Sequence, residues 1–180
     1  MKYISLLRGI NVSGQKKIKM PDLKLLYESL GFDKVATYIQ SGNIIFDTQH
    51  KNISKIKSLI EQAIKKKYHF HVPTEIRTKK DITNIIKNNP FSPVDLEKDG
   101  TKVLVTFLSV KPSKDNSLNL LNYVKPPEKL IIKDKTVYLH CPNGYGKSKL
   151  TNNFIENKLK VEATTRNWKS VLKLDELSEE

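Results

Sequence analysis

The chain predicts an α+β fold of two similar, mainly antiparallel subdomains, and three observations carry that reading. A polar turn, Gln40-Ser41-Gly42-Asn43, stands between two apolar runs, Val35–Ile39 and Ile44–Asp47, which is the pattern of a β-hairpin. Around this hairpin the apolar period switches between two and 3.6, giving the order βαββαβ. The second half of the 180 residues then repeats the plan without repeating the residues.

Residues 2–7 alternate as a strand and run into a glycine-punctuated loop, Arg8-Gly9-Ile10-Asn11-Val12-Ser13-Gly14. Pro21 suits the first turn of a helix, where its missing N–H costs nothing. Leu23, Leu26, Tyr27 and Leu30 fall at helical spacing, and Gly31 supplies the stop. After the hairpin, Ile53, Ile56, Ile60 and Ile64 form the expected buried stripe of a second helix over residues 53–68, with Lys55, Lys57, Lys65, Lys66 and Lys67 on its solvated side. Val72–Arg77 is a further strand. Thr78, with Asp81 at capping-box spacing, opens a third helix with Ile82, Ile85 and Ile86 inward, and Asn88-Asn89-Pro90 ends it.

Pro90, Pro93 and Asp99-Gly100 make residues 90–101 the most linker-like segment. Beyond it come a strand (103–110), a helix (113–123) with Leu118 and Leu121 inside, a hairpin (129–132 and 136–141), a helix (147–159) and a last helix from about Asn167 to Leu177. Two interlocked βαβ-type crossovers in one antiparallel sheet make a ferredoxin-like unit. The prediction is therefore two ferredoxin-like βαββα(β) subdomains: 1–89 with its following helix, a linker at 90–101, and 102–180 with the terminal helix.

Apolar content of 38% and charged content of 28% suffice for a core and argue against global disorder. No run reaches the roughly 18 apolar residues of a membrane span, so no membrane partner is expected. The N-terminal apolar run is short for a signal peptide and lacks a small-residue cleavage site, and the lone Cys141 forms no intrachain disulfide; both point to a cytoplasmic location. The net charge of +13 creates a field that attracts polyanions. It is carried by 29 Lys against 3 Arg (Arg8, Arg77, Arg166), a mixture that AT-rich codon usage also produces.

Three segments carry a resemblance. They are Arg8–Gly14, the hairpin Thr37–Phe46, and the C-terminal pair Gly144-Tyr145-Gly146-Lys147-Ser148-Lys149-Leu150 and Ala163-Thr164-Thr165-Arg166-Asn167-Trp168. In order and spacing the chain resembles the DUF 1697 family, a bacterial domain of unknown function, over nearly its whole length. Ser13 departs from the glycine expected there. The resemblance implies paired ferredoxin-like units in a cytoplasmic bacterial protein. It implies no reaction, no cofactor and no catalytic residue.

Candidate chemistry therefore rests on the residues. Cys141-Pro142-Asn143-Gly144-Tyr145-Gly146-Lys147-Ser148 approaches a phosphate loop, but Cys141 replaces the required first glycine and an antiparallel hairpin feeds the segment. A softer anion site at a helix start survives, with Tyr145, Lys147, Ser148 and Lys149 as donors. Thr165 as N-cap would put Arg166 in a first helical turn beside Asn167, where a cation opposes the helix dipole unless a carboxylate or ligand anion meets it. Arg8, Asn11, Tyr38, Gln40, Ser41 and Asn43 gather hydrogen-bonding groups in the first loop and hairpin turn.

No metal is expected. His69 and His71 alternate without a third ligand, and His140 and Cys141 point to opposite strand faces. The leading expectation is a module that binds a phosphorylated small molecule or nucleic acid where Arg8, Lys147 and Arg166 converge. The first alternative is a small-molecule enzyme that uses one of these cations as electrostatic stabiliser and Tyr38 or Tyr145 as base. The second is a protein-interaction module or homodimer.

Overall fold

The computed structural model describes residues 1–179. The first half runs β1 (Lys2–Leu7), α1 (Met20–Ser29), β2 (Asp33–Tyr38), β3 (Asn43–Asp47), α2 (Ile53–Tyr68), β4 (Thr74–Thr78) and α3 (Lys79–Lys87). The second half runs β5 (Val103–Leu108), α4 (Lys114–Leu121), β6 (Lys129–Lys133), β7 (Thr136–His140), α5 (Asn152–Leu159), β8 (Ala163–Asn167) and α6 (Trp168–Leu177). Two four-stranded antiparallel sheets result, ordered β2-β3-β1-β4 and β6-β7-β5-β8. Both are ferredoxin-like. Their registers correspond: Ile4 pairs with Ile45 and Arg77, and Val105 pairs with Tyr138 and Arg166. The chain divides into two compact units, Met1–Thr83 together with the chain from Leu174, and Asn84–Lys173.

In the first unit, Tyr3 and Leu7 alternate onto the helix-covered face of the sheet and pack with Leu23, Tyr27, Ile56, Ile60 and Ile64. Phe32 stacks on Phe46 at 4.6 Å between ring centroids. The Ser5 and Tyr27 hydroxyls meet at 2.7 Å, which satisfies two buried polar groups in this core. Asn52 caps α2 by accepting the Lys55 N–H at 3.0 Å. Asp81 accepts from both the N–H and the hydroxyl of Thr78, the reciprocal cap expected there. The end of α6 is tied to α3 within this unit by Lys79–Glu179 at 3.1 Å and Thr83–Asp175 at 2.8 Å.

The second unit buries Leu104, Leu108, Leu120, Val137, Leu139, Leu150, Ile155 and Leu159 on the matching face. The opposite face of each sheet is buried as well: Ile4, Leu6 and Ile45 in the first, Val105, Phe107 and Tyr138 in the second. A ferredoxin-like sheet that reads RNA does so by stacking bases on this face. Here the strand side chains on that face are buried.

Four local expectations are corrected. Ile53 is exposed, because the α2 stripe begins one turn later at Ile56. Leu118 and Leu121 are exposed while Leu120 is fully buried. The inward face of α4 starts with polar residues: Asn116 donates to the Leu159 carbonyl at 3.1 Å, and Leu120 follows it at helical spacing. Counting leucines thus places the stripe on the wrong side. Leu120→Ala is expected to cost about 2–5 kcal/mol and Leu118→Ala within about 0.5 kcal/mol. Urea unfolding of the two variants checks this, and equal losses would refute the assigned face.

The helix expected from Lys147 does not start there. A single 3-10 turn, Tyr145–Lys147, is followed by extended chain, and α5 begins at Asn152 with Thr151 capping Phe154 N–H at 3.2 Å. Finally, Thr165 and Arg166 lie in β8 and not in a helix start. Thr165 meets Thr106 across the strands at 2.8 Å, and the cap of α6 is Asn167, which accepts the Ser170 N–H at 2.9 Å.

Candidate functional site

The first loop and hairpin turn form one hydrogen-bonded body. Leu7 N–H donates to the Gly42 carbonyl at 2.8 Å, which sets Arg8, the next residue, beside the turn. The Asn11 side chain donates to the carbonyls of Ile18 and Gln40, each at 2.9 Å, and accepts the Ile18 N–H at 2.9 Å. Asn43 is fully buried and donates to the Tyr38 carbonyl and the Ser41 hydroxyl. Asn11, Tyr38, Gln40, Ser41 and Asn43 are thus brought together, and the amides of Asn11 and Asn43 are engaged in holding the turn. Asn11 and Gln40 also border a surface cavity of about 580 Å³ with Lys17, Lys19 and Tyr68.

The second unit holds a larger cavity of about 770 Å³. Two connections build it. Residues 122–128, between α4 and β6, contribute Tyr123, Lys125, Pro126, Pro127 and Glu128. Residues 141–151, between β7 and α5, contribute Asn143, Gly144, Lys147 and Lys149, and α5 adds Phe154. The geometry of the second connection follows from alternation. Ser148 and Leu150 are buried, with the Ser148 hydroxyl accepting the Leu150 N–H at 3.0 Å, so Lys149 between them is exposed by alternation, and Lys147, the last residue of the 3-10 turn, is exposed as well.

Three lysines, Lys125, Lys147 and Lys149, and one glutamate, Glu128, are the charged residues that line this cavity. The wall is otherwise largely apolar. Tyr123 meets Phe154 edge-on at 5.2 Å and 79°. Lys158, which does not line the cavity, lies 4.3 Å from the Tyr123 ring centroid, and its ammonium donates to the Tyr123 hydroxyl at 3.1 Å. The ring is therefore held in place by two neighbours.

The other expected residues have structural surroundings. Arg166 is buried and donates to the Thr164 hydroxyl at 2.8 Å and the Thr165 carbonyl at 2.9 Å. Burial pushes its guanidinium down to about 10, since desolvation penalises the charged form. It does not line the cavity, and Arg8 belongs to the first unit. Thr165 donates to the Asn152 side chain at 2.9 Å. Tyr145 packs against the second core, and burial raises its phenol above the ordinary value, with Thr165 and the Asn152 backbone opposing the rise.

Sequence reasoning found Lys147 and Lys149 but missed Tyr123, Lys125, Pro126, Pro127, Glu128, Asn143 and Phe154. The available signal was Tyr123-Val124-Lys125-Pro126-Pro127, an aromatic, a cation and paired prolines between two elements.

Cys141, the first residue of this second connection, is a buried free thiol. Burial pushes it from an ordinary value of 9.0 up to about 11; the Ser148 hydroxyl opposes the rise and Glu128 adds to it. Between these values the folded chain retains a proton that the unfolded chain has released. Unfolding is therefore favoured progressively as pH rises from about 9 to about 11. Cys141→Ala is expected to flatten that part of the stability–pH curve, and native Cys141 should resist alkylation at pH 8. Rapid alkylation of the folded chain would contradict the burial.

A family profile described as "Protein of unknown function (DUF1697)" matches residues 1–138. The chain belongs to the DUF1697 family. The match ends within β7, so this DUF1697 chain carries Tyr123–Glu128 inside the matched segment and Lys147 and Lys149 beyond it. Among solved structures it is similar to the conserved bacterial protein SP0830 from Streptococcus pneumoniae, at 20% identity and a TM-score of 0.77, with 98% of each chain covered. That likeness extends to both ferredoxin-like halves of the DUF1697 chain and is a likeness of fold. A search of curated proteins returned no match. Among the described residues no helix is long and apolar enough to cross a membrane.

Proposed function

We propose that this DUF1697 protein is a cytoplasmic binding module for an anionic ligand, a phosphorylated small molecule or a nucleic-acid segment, held in the cavity of the second unit. The observation that carries the reading is the joint lining of one 770 Å³ cavity by Lys125, Lys147 and Lys149. That volume lies within the range of about 300–1,000 Å³ typical of ligand sites. The three lysines come from two separate connections and share one lining with a single carboxylate, Glu128. A single, buried Cys141, which forms no intrachain disulfide, agrees with a reducing compartment.

The test is isothermal titration with ATP at 50 and 200 mM NaCl. Binding should weaken with salt, because exposed ammonium groups are screened. The double variant Lys147→Ala/Lys149→Ala should bind at least tenfold more weakly at unchanged melting temperature, since both residues are exposed. Equal affinity in the variant would remove the cavity from consideration.

A further inference from the structure

The walls of the cavity say more about its occupant than its cations do. A site built only for phosphate or a sugar phosphate is lined by donors. Here the lysines share the lining with Tyr123, Phe154, Pro126 and Pro127, four apolar or aromatic surfaces in one space. Tyr123 is 43% exposed although it is a large ring. It is also preorganised: Phe154 packs on it in a T-shaped pair, and Lys158, whose ammonium lies over one side of the ring, donates to its hydroxyl at 3.1 Å. A ring that is both exposed and already immobilised offers stacking area without a further ordering cost. Asn143, exposed on the same lining, carries an amide donor and acceptor of the kind that reads the edge of a heterocycle.

We infer that the occupant is a mononucleotide, its base lying against Tyr123 and the Pro126–Pro127 pair and its phosphate held by Lys147 and Lys149. This rests on the anion reading above. A single nucleotide is favoured over a polymer because the aromatic surface and the cations share one bounded cavity, while the sheet face on which ferredoxin-like units stack successive bases is buried.

The experiment titrates the full chain with AMP, UMP, ribose 5-phosphate and a single-stranded RNA decamer, in wild type, in Tyr123→Leu and in Lys147→Ala/Lys149→Ala. AMP or UMP is expected to bind at least tenfold more tightly than ribose 5-phosphate, the increment that one stacked base supplies. Tyr123→Leu should abolish that difference, the loss falling on AMP and UMP. The double lysine variant should weaken all three small ligands together. Ribose 5-phosphate binding as tightly as AMP would overturn the nucleotide assignment and leave the anion site standing. Absence of binding by every probe would overturn both. An RNA decamer bound at least a hundredfold more tightly than AMP would overturn the mononucleotide in favour of a polymer. A Tyr123→Leu chain that loses AMP and ribose 5-phosphate equally would show that the ring serves only to shape the loop, which also refutes stacking.

Discussion

Gly42→Ala is expected to destabilise the first unit by about 2–5 kcal/mol. Two separate costs combine. Gly42 has φ +80°, where an L side chain costs roughly 1–2 kcal/mol. An added Cβ would also lie 2.7 Å from Leu7 Cβ and 2.8 Å from Ile10 Cδ1, both fully buried, and overpacking of that kind costs about 1–3 kcal/mol. Gly31 isolates the first cost. Its φ is +78°, yet a Cβ there meets nothing within 4 Å, so Gly31→Ala should lose only about 1–2 kcal/mol. Urea midpoints at constant slope measure both. Equal losses would mean that the loop after β1 yields freely to the hairpin turn, and the close packing argued for it would be wrong. The same substitution should loosen the Asn11–Gln40 contact and raise amide exchange at Ile18, whose N–H depends on Asn11.

Much of the architecture was legible because local chemistry and tertiary burial agree along most of the chain. The Gln40–Asn43 turn, the Thr78–Asp81 cap and the Ile56-Ile60-Ile64 stripe each state in sequence what the fold then uses. The failures occur where polar residues do the work of apolar ones. β8 reads Ala163-Thr164-Thr165-Arg166-Asn167, with little apolar alternation, and is held as a strand by its pairing with β5 and by Thr106–Thr165. The inward face of α4 starts with Asn116, half-buried, whose side chain donates to the Leu159 carbonyl, a partner 43 residues away. Lys147 looked like a helix start because Gly144-Tyr145-Gly146-Lys147-Ser148 is turn chemistry; the helix waits for Thr151 because Leu150 must first be buried. As for the site, its cations were visible as a Lys-Ser-Lys run. Its walls were not, because exposed Tyr and Pro in a connection carry no local sign of the surface they will share.

Glu75→Ala is expected to cost the first unit about 3–5 kcal/mol, the range for leaving a buried partner charge uncompensated. Glu75 and Arg77 are two residues apart on β4, so both side chains leave the same face. The Arg77 guanidinium donates to Glu75 at 3.0 Å, with the two side chains 11% and 9% exposed, and Lys57 approaches the other carboxylate oxygen at 3.3 Å. The second unit solves the same problem differently. Arg166 stands at the register position of Arg77, and where Glu75 would be there is Thr164, whose hydroxyl accepts from Arg166 at 2.8 Å. Glu75→Thr imports that neutral solution and should lose less than Glu75→Ala, because a hydroxyl acceptor remains within reach. The double variant Glu75→Met/Arg77→Met should be far less damaging than the two single losses summed, since replacing a buried ion pair by apolar groups of similar size is often near neutral. A double-mutant cycle by urea unfolding reads the coupling directly. Additive losses would show that each charge is held by its other neighbours, and that the carboxylate in the first repeat is no more than a substitute for the threonine of the second.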